Sequence, residues 1–368
     1  MAIAVLGRLF PARSGEPAPA VRCFSIVLAV HDEIGTIGRR VQELLLLIDE
    51  SDRCGELIVV SDGSTDGTVG ELQAISDGRL KIIELTVNVG KAAALTQGCL
   101  AASGEILVLA DARQEWRPDT LRCLLSNFAD VSIGGVSGEL VLREDSGVVG
   151  SVGLYWRYEK WLRRNESRWH SVVGVSGSVC AMRRELFKPI PAGTILDDVY
   201  WPLQVVMQGR RVVHDDSAIA IDKLPIRAKD EFRRKVRTLS GNYQLLQRLP
   251  AALLPWRNPI WLQFMSHKIL RLVVPWALLA LLVSSALLNG PLYRLALFTQ
   301  LVFYAAGIVG IWGGGGRVLP KLTSAAGMFL LLNAAAWVGF WTWVSGNATK
   351  SWAKVTYLDS ATQNRETD

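Results

Sequence analysis

Three carboxylates stand where short apolar stretches end or a helix opens. Asp62 follows Leu57-Ile-Val-Val-Ser, Asp111 follows Ile106-Leu-Val-Leu-Ala, and Asp198 closes Thr194-Ile-Leu-Asp-Asp. In an open α/β sheet, ligands bind outside the carboxyl ends of the strands, so the first two acids are expected to meet in one crevice. The run Gly63-Ser-Thr-Asp-Gly after Asp62 allows two readings. Either the carboxylate accepts a hydrogen bond from a ligand N–H, or it belongs to an Asx turn that caps a helix. Asn88-Val-Gly-Lys91 sets a cation at a helix start, which suits a phosphate. Acids of this kind upstream of an apolar C-terminal block point to an enzyme handling a charged, metal-bridged ligand at a bilayer surface.

The elements that must position these residues follow from the hydrophobic pattern. Apolar runs at 24–30, 57–61, 80–85 and 105–110 have strand length, and helical spacing falls at 36–48, 67–75 and 91–102. Alternation of unbroken apolar strands with helices predicts an α/β domain with a mainly parallel sheet buried on both faces. Beyond residue 130 the alternation loosens. The pattern predicts one or two strands within 131–142, a helix over 155–169 and a Gly/Ser-rich segment at 174–182. A helix opened by Asp197 and Asp198, a strand over 211–221 and a basic helix over 229–249 follow.

The net charge of +6, with Lys and Arg clustered, suits a phosphate-bearing ligand or an anionic membrane surface. No nucleic-acid-binding signature is present, so nucleic acid is not an expected partner. Cys23, Cys54, Cys99, Cys123 and Cys180 form no C-x-x-C pair, which argues against a disulfide framework or a zinc site and for a reducing compartment. Residues 1–21 lack a signal-peptide core and read as a loose leader, ahead of a domain spanning 22–250.

Residues 251–271 mix Trp256, Trp261 and Phe264 with Arg257, His267 and Lys268, as expected of a segment lying in the membrane interface. Three nearly charge-free stretches within 272–346, at 272–288, 292–312 and 325–344, approach the length of about 20 residues that crosses a bilayer. The first is short and holds Pro275, so two spans and a re-entrant piece are an alternative. Arg257, Lys268, Arg271, Arg317 and Lys321 fall on one side if all three cross, which makes that side cytoplasmic. Lys350 and Lys354, in the polar tail 347–368, run against that orientation.

The ordered set Asp62, Asn88-Val-Gly-Lys91 and Asp111 resembles glycosyltransferase family 2, inverting nucleotide-sugar-dependent enzymes with a GT-A fold. His31-Asp-Glu33, Val175-Ser-Gly-Ser178, Leu196-Asp-Asp198 and Arg234-Lys-Val-Arg237-Thr238 extend the resemblance through about residue 250. With membrane spans after it, the chain is similar to polysaccharide synthases of cellulose, chitin and hyaluronan type. The resemblance implies that Glu33, Asp62, Lys91, Asp111, Arg234 and Arg237 bind the donor, expected to be UDP-linked. It implies Ser176, Gly177 and Asp197 on the acceptor side, Asp198 as general base and Asp111 as ligand of Mg²⁺ or Mn²⁺. Arg234 and Arg237 also fit a solvated basic face or one resting on anionic lipid. Asp197, beside Asp198, is expected to cap the helix or orient its neighbour.

Two positions depart from the family pattern. Arg113 stands where the metal motif has its second Asp, which weakens the expected metal site. Thr238 replaces a Trp that supports processive synthesis, with Trp156, Trp161, Trp169 and Trp201 as substitute sugar platforms. The expected reaction moves a sugar to a saccharide hydroxyl at the cytoplasmic membrane face, with homo-oligomerisation or an export partner completing a channel. The alternatives are transfer of one sugar to a lipid-phosphate carrier and a non-catalytic membrane scaffold.

Overall fold

A computed structural model describes residues 7, 9, 12, 15–143, 150–223, 228–312 and 321–348. Four strands, β1 (Cys23–Val30), β2 (Cys54–Asp62), β3 (Leu80–Leu85) and β4 (Ile106–Ala110), run parallel in the order β3-β2-β1-β4. Between them lie α1 (Ile37–Asp49), α2 (Thr68–Gln73) and α3 (Lys91–Ala101). Residues 106–110 are all buried, which is why this strand reads as an unbroken apolar run.

The sheet continues through β5 (Glu115–Trp116), β6 (Ile133–Arg143), β7 (Val179–Arg183) and β8 (Arg211–Lys223). Its full order is β3-β2-β1-β4-β7-β6-β8-β5, so the eight-stranded sheet is mixed. Strand β7 pairs antiparallel with β4, and Ala110 faces Val179. The segment 174–182, read from the sequence only as Gly/Ser-rich, therefore leads into a central strand. Its short polar residues precede the strand rather than replace it. Helices α4 (Thr120–Ser126), α5 (Gly150–Trp169) and α6 (Asp197–Met207) complete this part.

The chain divides into two compact units. The first comprises residues 1–143, 155–223 and 245–268. Within it, residues 15–18, expected to lie loose, are tied down. Gly15 N donates to both carboxylate oxygens of Asp130 at 3.0 and 2.9 Å, and Ala18 N donates to the Ala129 carbonyl at 2.6 Å. His267 is buried, with Nδ1 2.8 Å from Glu166 Oε1 and Nε2 3.2 Å from Glu159 Oε2. These contacts fasten the residues around His267 to α5.

The second unit comprises 144–154, 224–244 and 269–368. It takes in most of α7 (Ala228–Arg248), most of α8 (Trp261–Leu287), and α9 (Pro291–Trp312) and α10 (Lys321–Val344). Three helices, at Trp261–Leu287, Pro291–Ile311 and Ala325–Val344, are long and apolar enough to cross a membrane, with mean hydropathies of 2.0, 1.6 and 1.4. The first of these begins at Trp261, earlier than the stretch 272–288 that the hydrophobic pattern marked. Pro275 is accommodated inside it.

Helices α9 and α10 approach closely where side chains vanish. A Cβ on Gly307 would sit 2.4 Å from Leu330 Cδ1, and one on Gly327 would sit 3.1 Å from the Gly307 carbonyl. Small residues at such crossings favour van der Waals packing in lipid, where water supplies no driving force. An aromatic cluster adds to it, with Trp276 and Trp337 ring centroids 4.4 Å apart and Tyr243 stacked 5.8 Å from Trp343. Of the residues argued to set orientation, Arg317, Lys350 and Lys354 lie outside the described residues.

Candidate active site

The site is built at the carboxyl ends of β2 and β4, where a parallel sheet leaves a crevice. Asp62 ends β2 and is buried. Its Oδ1 accepts the Val89 N–H at 2.7 Å and its Oδ2 the Gly90 N–H at 2.8 Å. The carboxylate thereby fixes the turn that launches α3, whose first residue is Lys91. Of the two sequence readings of Asp62, this geometry adds a third, a carboxylate that orders a neighbouring loop. Gly63 is required there. Its φ of +65° is left-handed, and a Cβ would lie 2.4 Å from the Asn88 backbone nitrogen.

Lys91 reaches from α3 to the end of β4, where its Nζ lies 2.6 Å from Asp111 Oδ1. Pairing of Ala110 with Val179 brings the 174–178 loop beside Asp111. That loop carries the amino end of α6, because Val175 N donates to the Asp198 carbonyl at 2.9 Å. Gly177 keeps the centre open. A Cβ there would lie 3.6 Å from Asp198 Cβ and 4.0 Å from Lys91 Nζ.

Lys91, Asp111, Asp197, Asp198 and Gly177 thus form one cluster. Burial works to discharge Lys91, but Asp111, Asp197 and Asp198 outweigh it and hold the ammonium above its ordinary pKa. Asp197 is pushed up to about 6, first by burial and further by Asp198 and Asp111, against the opposing pull of Lys91. Three carboxylates around one ammonium leave an excess of negative charge, which favours a proton on Asp197.

Other expected residues occupy different places. Glu33 lies in the loop after β1, and its backbone N–H donates to Thr68 Oγ1 at 2.9 Å. Ser176 is buried, with its N–H on Ser137 Oγ at 3.0 Å and its hydroxyl 3.4 Å from that of Ser178. Arg234 and Arg237 lie one turn apart on α7 and belong to the second unit. Trp201 is in the core, whereas Trp161 is exposed and stacked on Tyr158 at 6.1 Å. The Trp156 side chain lies outside the described residues.

Sequence reasoning missed the support beneath Asp111. Arg40 of α1 is completely buried; its Nε donates to the Asp111 carbonyl at 3.1 Å and its Nη1 to Glu43 Oε1 at 2.7 Å. The guanidinium also lies 5.1 Å from the ring centroid of Trp116. Trp116 closes the circuit, donating its N–H to Glu43 Oε1 at 2.8 Å and its Nε1–H to the Ser178 carbonyl at 3.0 Å. One buried cation therefore braces both the Asp111 loop and the Ser178 loop. The only sequence signal was a basic residue on the apolar stripe of α1, three positions before Glu43.

A divalent cation would find one hard oxygen ligand at a strand end, Asp111. No group of three or more His, Cys, Asp or Glu side chains suited to a metal occurs among the described residues. Arg113 is consistent with this sparse set. Asp111 fits a cation whose remaining ligands are the phosphates of a bound nucleotide and water.

Residues 25–190 match the model described as glycosyl transferase family 2. These residues form a family 2 glycosyltransferase domain. Among curated proteins, the chain is 24% identical over 231 residues to the poly-beta-1,6-N-acetyl-D-glucosamine synthase of Staphylococcus aureus strain MSSA476, covering 61% of this chain and 55% of that one. It is 23% identical over 235 residues to the synthase of the same name from Staphylococcus epidermidis, covering 62% and 56%. The chain therefore spans little more than half the length of these relatives.

Among solved structures, it resembles a mannosyltransferase of Pyrobaculum calidifontis in complex with GDP-Man and Mn²⁺. The TM-score is 0.66 at 23% identity, covering 92% of this chain and 98% of that one. That likeness establishes the GT-A fold of the family 2 domain, with helices after it.

Proposed function

We propose that the chain is a membrane-integrated, inverting glycosyltransferase that moves a sugar from a nucleotide-sugar donor to an acceptor hydroxyl at the cytoplasmic face. The cluster of Lys91, Asp111, Asp197 and Asp198 at the carboxyl end of the sheet carries the reading. It offers a cation for a diphosphate, a carboxylate for a metal and a carboxylate for a proton within one crevice.

In this reading Asp198 accepts the proton of the acceptor hydroxyl as its oxygen bonds to the anomeric carbon. The bond from that carbon to the donor diphosphate breaks on the opposite face, and nucleoside diphosphate leaves. A positioned base of this kind contributes about 10²–10⁴-fold. Asp111 would hold Mg²⁺ or Mn²⁺, which when bound neutralises charge on the departing diphosphate. Lys91 assists that diphosphate from the opening turn of α3. Asp62 acts on the donor by holding the loop that presents Lys91, and Glu33 faces the base and ribose. Ser176, Gly177 and Asp197 border the acceptor.

The named relatives, poly-beta-1,6-N-acetyl-D-glucosamine synthases, favour a saccharide acceptor, and the family resemblance favours a UDP-linked donor. The mannosyltransferase complex favours a GDP-linked one. Transfer of a single sugar to a lipid-phosphate carrier is the second reading, favoured by the membrane-proximal residues fastened to α5 through His267. Incubation of the detergent-solubilised protein with radiolabelled UDP- and GDP-sugars separates the readings. A ladder of products supports polymerisation, one lipid-soluble product supports the carrier reading, and no release of nucleoside diphosphate from any donor defeats both.

A further inference from the structure

The carboxylate suited to a cation already has a cation on it. Lys91 Nζ sits 2.6 Å from Asp111 Oδ1, and the pair is about three-quarters buried, with side-chain exposures of 24% and 28%. Asp197 and Asp198 add their fields to the ammonium. A second cation on the same carboxylate would face the ammonium at a few ångströms, in surroundings where charges interact more strongly than in water. Among the described residues no group of three metal-ligating side chains exists to bind a metal elsewhere, and Asp62, at the neighbouring strand end, has both oxygens on backbone amides.

We propose that Lys91 is the resident counter-ion of Asp111, closing that carboxylate to a divalent cation until the diphosphate of a nucleotide draws the ammonium onto itself. Cation and nucleotide then enter as a pair. The inference rests on the transfer reading in one respect, that the competing anion is a nucleotide diphosphate. Energetic coupling between two ligands is reciprocal. Removing the ammonium must therefore raise affinity for the cation alone and lower the gain that nucleotide gives to it.

The test is Mn²⁺ binding to the full chain in detergent, read from the electron paramagnetic resonance of free Mn²⁺, with and without UDP or GDP. Wild type is compared with Lys91→Met and with Lys81→Met, a control that removes the partly exposed lysine paired with Glu56. Lys91→Met is expected to bind Mn²⁺ alone at least tenfold more tightly than wild type, and the gain from nucleotide is expected to shrink. Lys81→Met should match wild type, and Asp111→Asn added to Lys91→Met should abolish the gain. Equal binding of Mn²⁺ alone by wild type and Lys91→Met overturns the inference, as does an equal gain in Lys81→Met. If nucleotide binds but Mn²⁺ never does, the inference falls while the transfer reading stands. If neither nucleotide binds, both fall.

Discussion

Asp197 should be a liability to the fold at neutral pH, and Asp197→Asn should remove it. Burial, with Asp198 and Asp111 adding to it, raises this carboxyl from 3.8 to about 6 despite the pull of Lys91. The folded protein therefore holds the proton more tightly than the unfolded chain. Stability from this group is full below about pH 4, declines as pH rises through about 6, and stays low above that. The rise of roughly two pH units corresponds to about 3 kcal/mol. Asn is neutral throughout and escapes the penalty.

The assay is thermal unfolding of both proteins in one detergent between pH 4 and pH 8. At pH 7.5 the variant should unfold at a higher temperature, by about 2–4 °C for each kcal/mol in a domain of this size. The difference should close as pH approaches 4. A variant that is no more stable at pH 7.5, or whose advantage ignores pH, would refute the electrostatic account of the cluster.

Two further substitutions probe the supports of the site. Gly63→Ala places a methyl group 2.4 Å from the Asn88 nitrogen at a φ of +65°, and should destabilise the protein by at least about 2 kcal/mol in thermal or denaturant unfolding. An unfolding midpoint equal to wild type would show that the Asp62–Gly90 turn is not rigid. Arg40→Met leaves Glu43 and the Asp111 carbonyl without their buried partner, and should cost about 3–5 kcal/mol. A loss below about 1 kcal/mol would remove the brace from the argument.

The parallel half of the sheet was legible because strands buried on both faces leave unbroken apolar runs, and β3 begins and ends where the pattern placed it. Asp111 was legible as a strand-end acid for the same reason. The Lys91–Asp111 pair was not, since the two lie 20 positions apart and meet only when the first turn of α3 comes near the residue that follows β4. Strand β7 was hidden because a Gly/Ser-rich stretch leads into it and it is only 5 residues long. Arg40 and His267 were hidden for a different reason. A charged side chain read in isolation belongs in water, and only Glu43 and Trp116, or Glu159 and Glu166, make its burial tolerable. Asp62 was read from its neighbours as a ligand acceptor or a helix cap, whereas its contacts order the Val89–Gly90 turn.

Whether Asp198 takes a proton from an acceptor is the claim on which the rest depends. The direct measurement is transfer of labelled sugar by wild type and Asp198→Asn, alongside nucleotide affinity of both proteins. The account predicts that transfer falls by about 10²–10⁴-fold while nucleoside diphosphate binds each with the same affinity. Undiminished transfer by Asp198→Asn would contradict it.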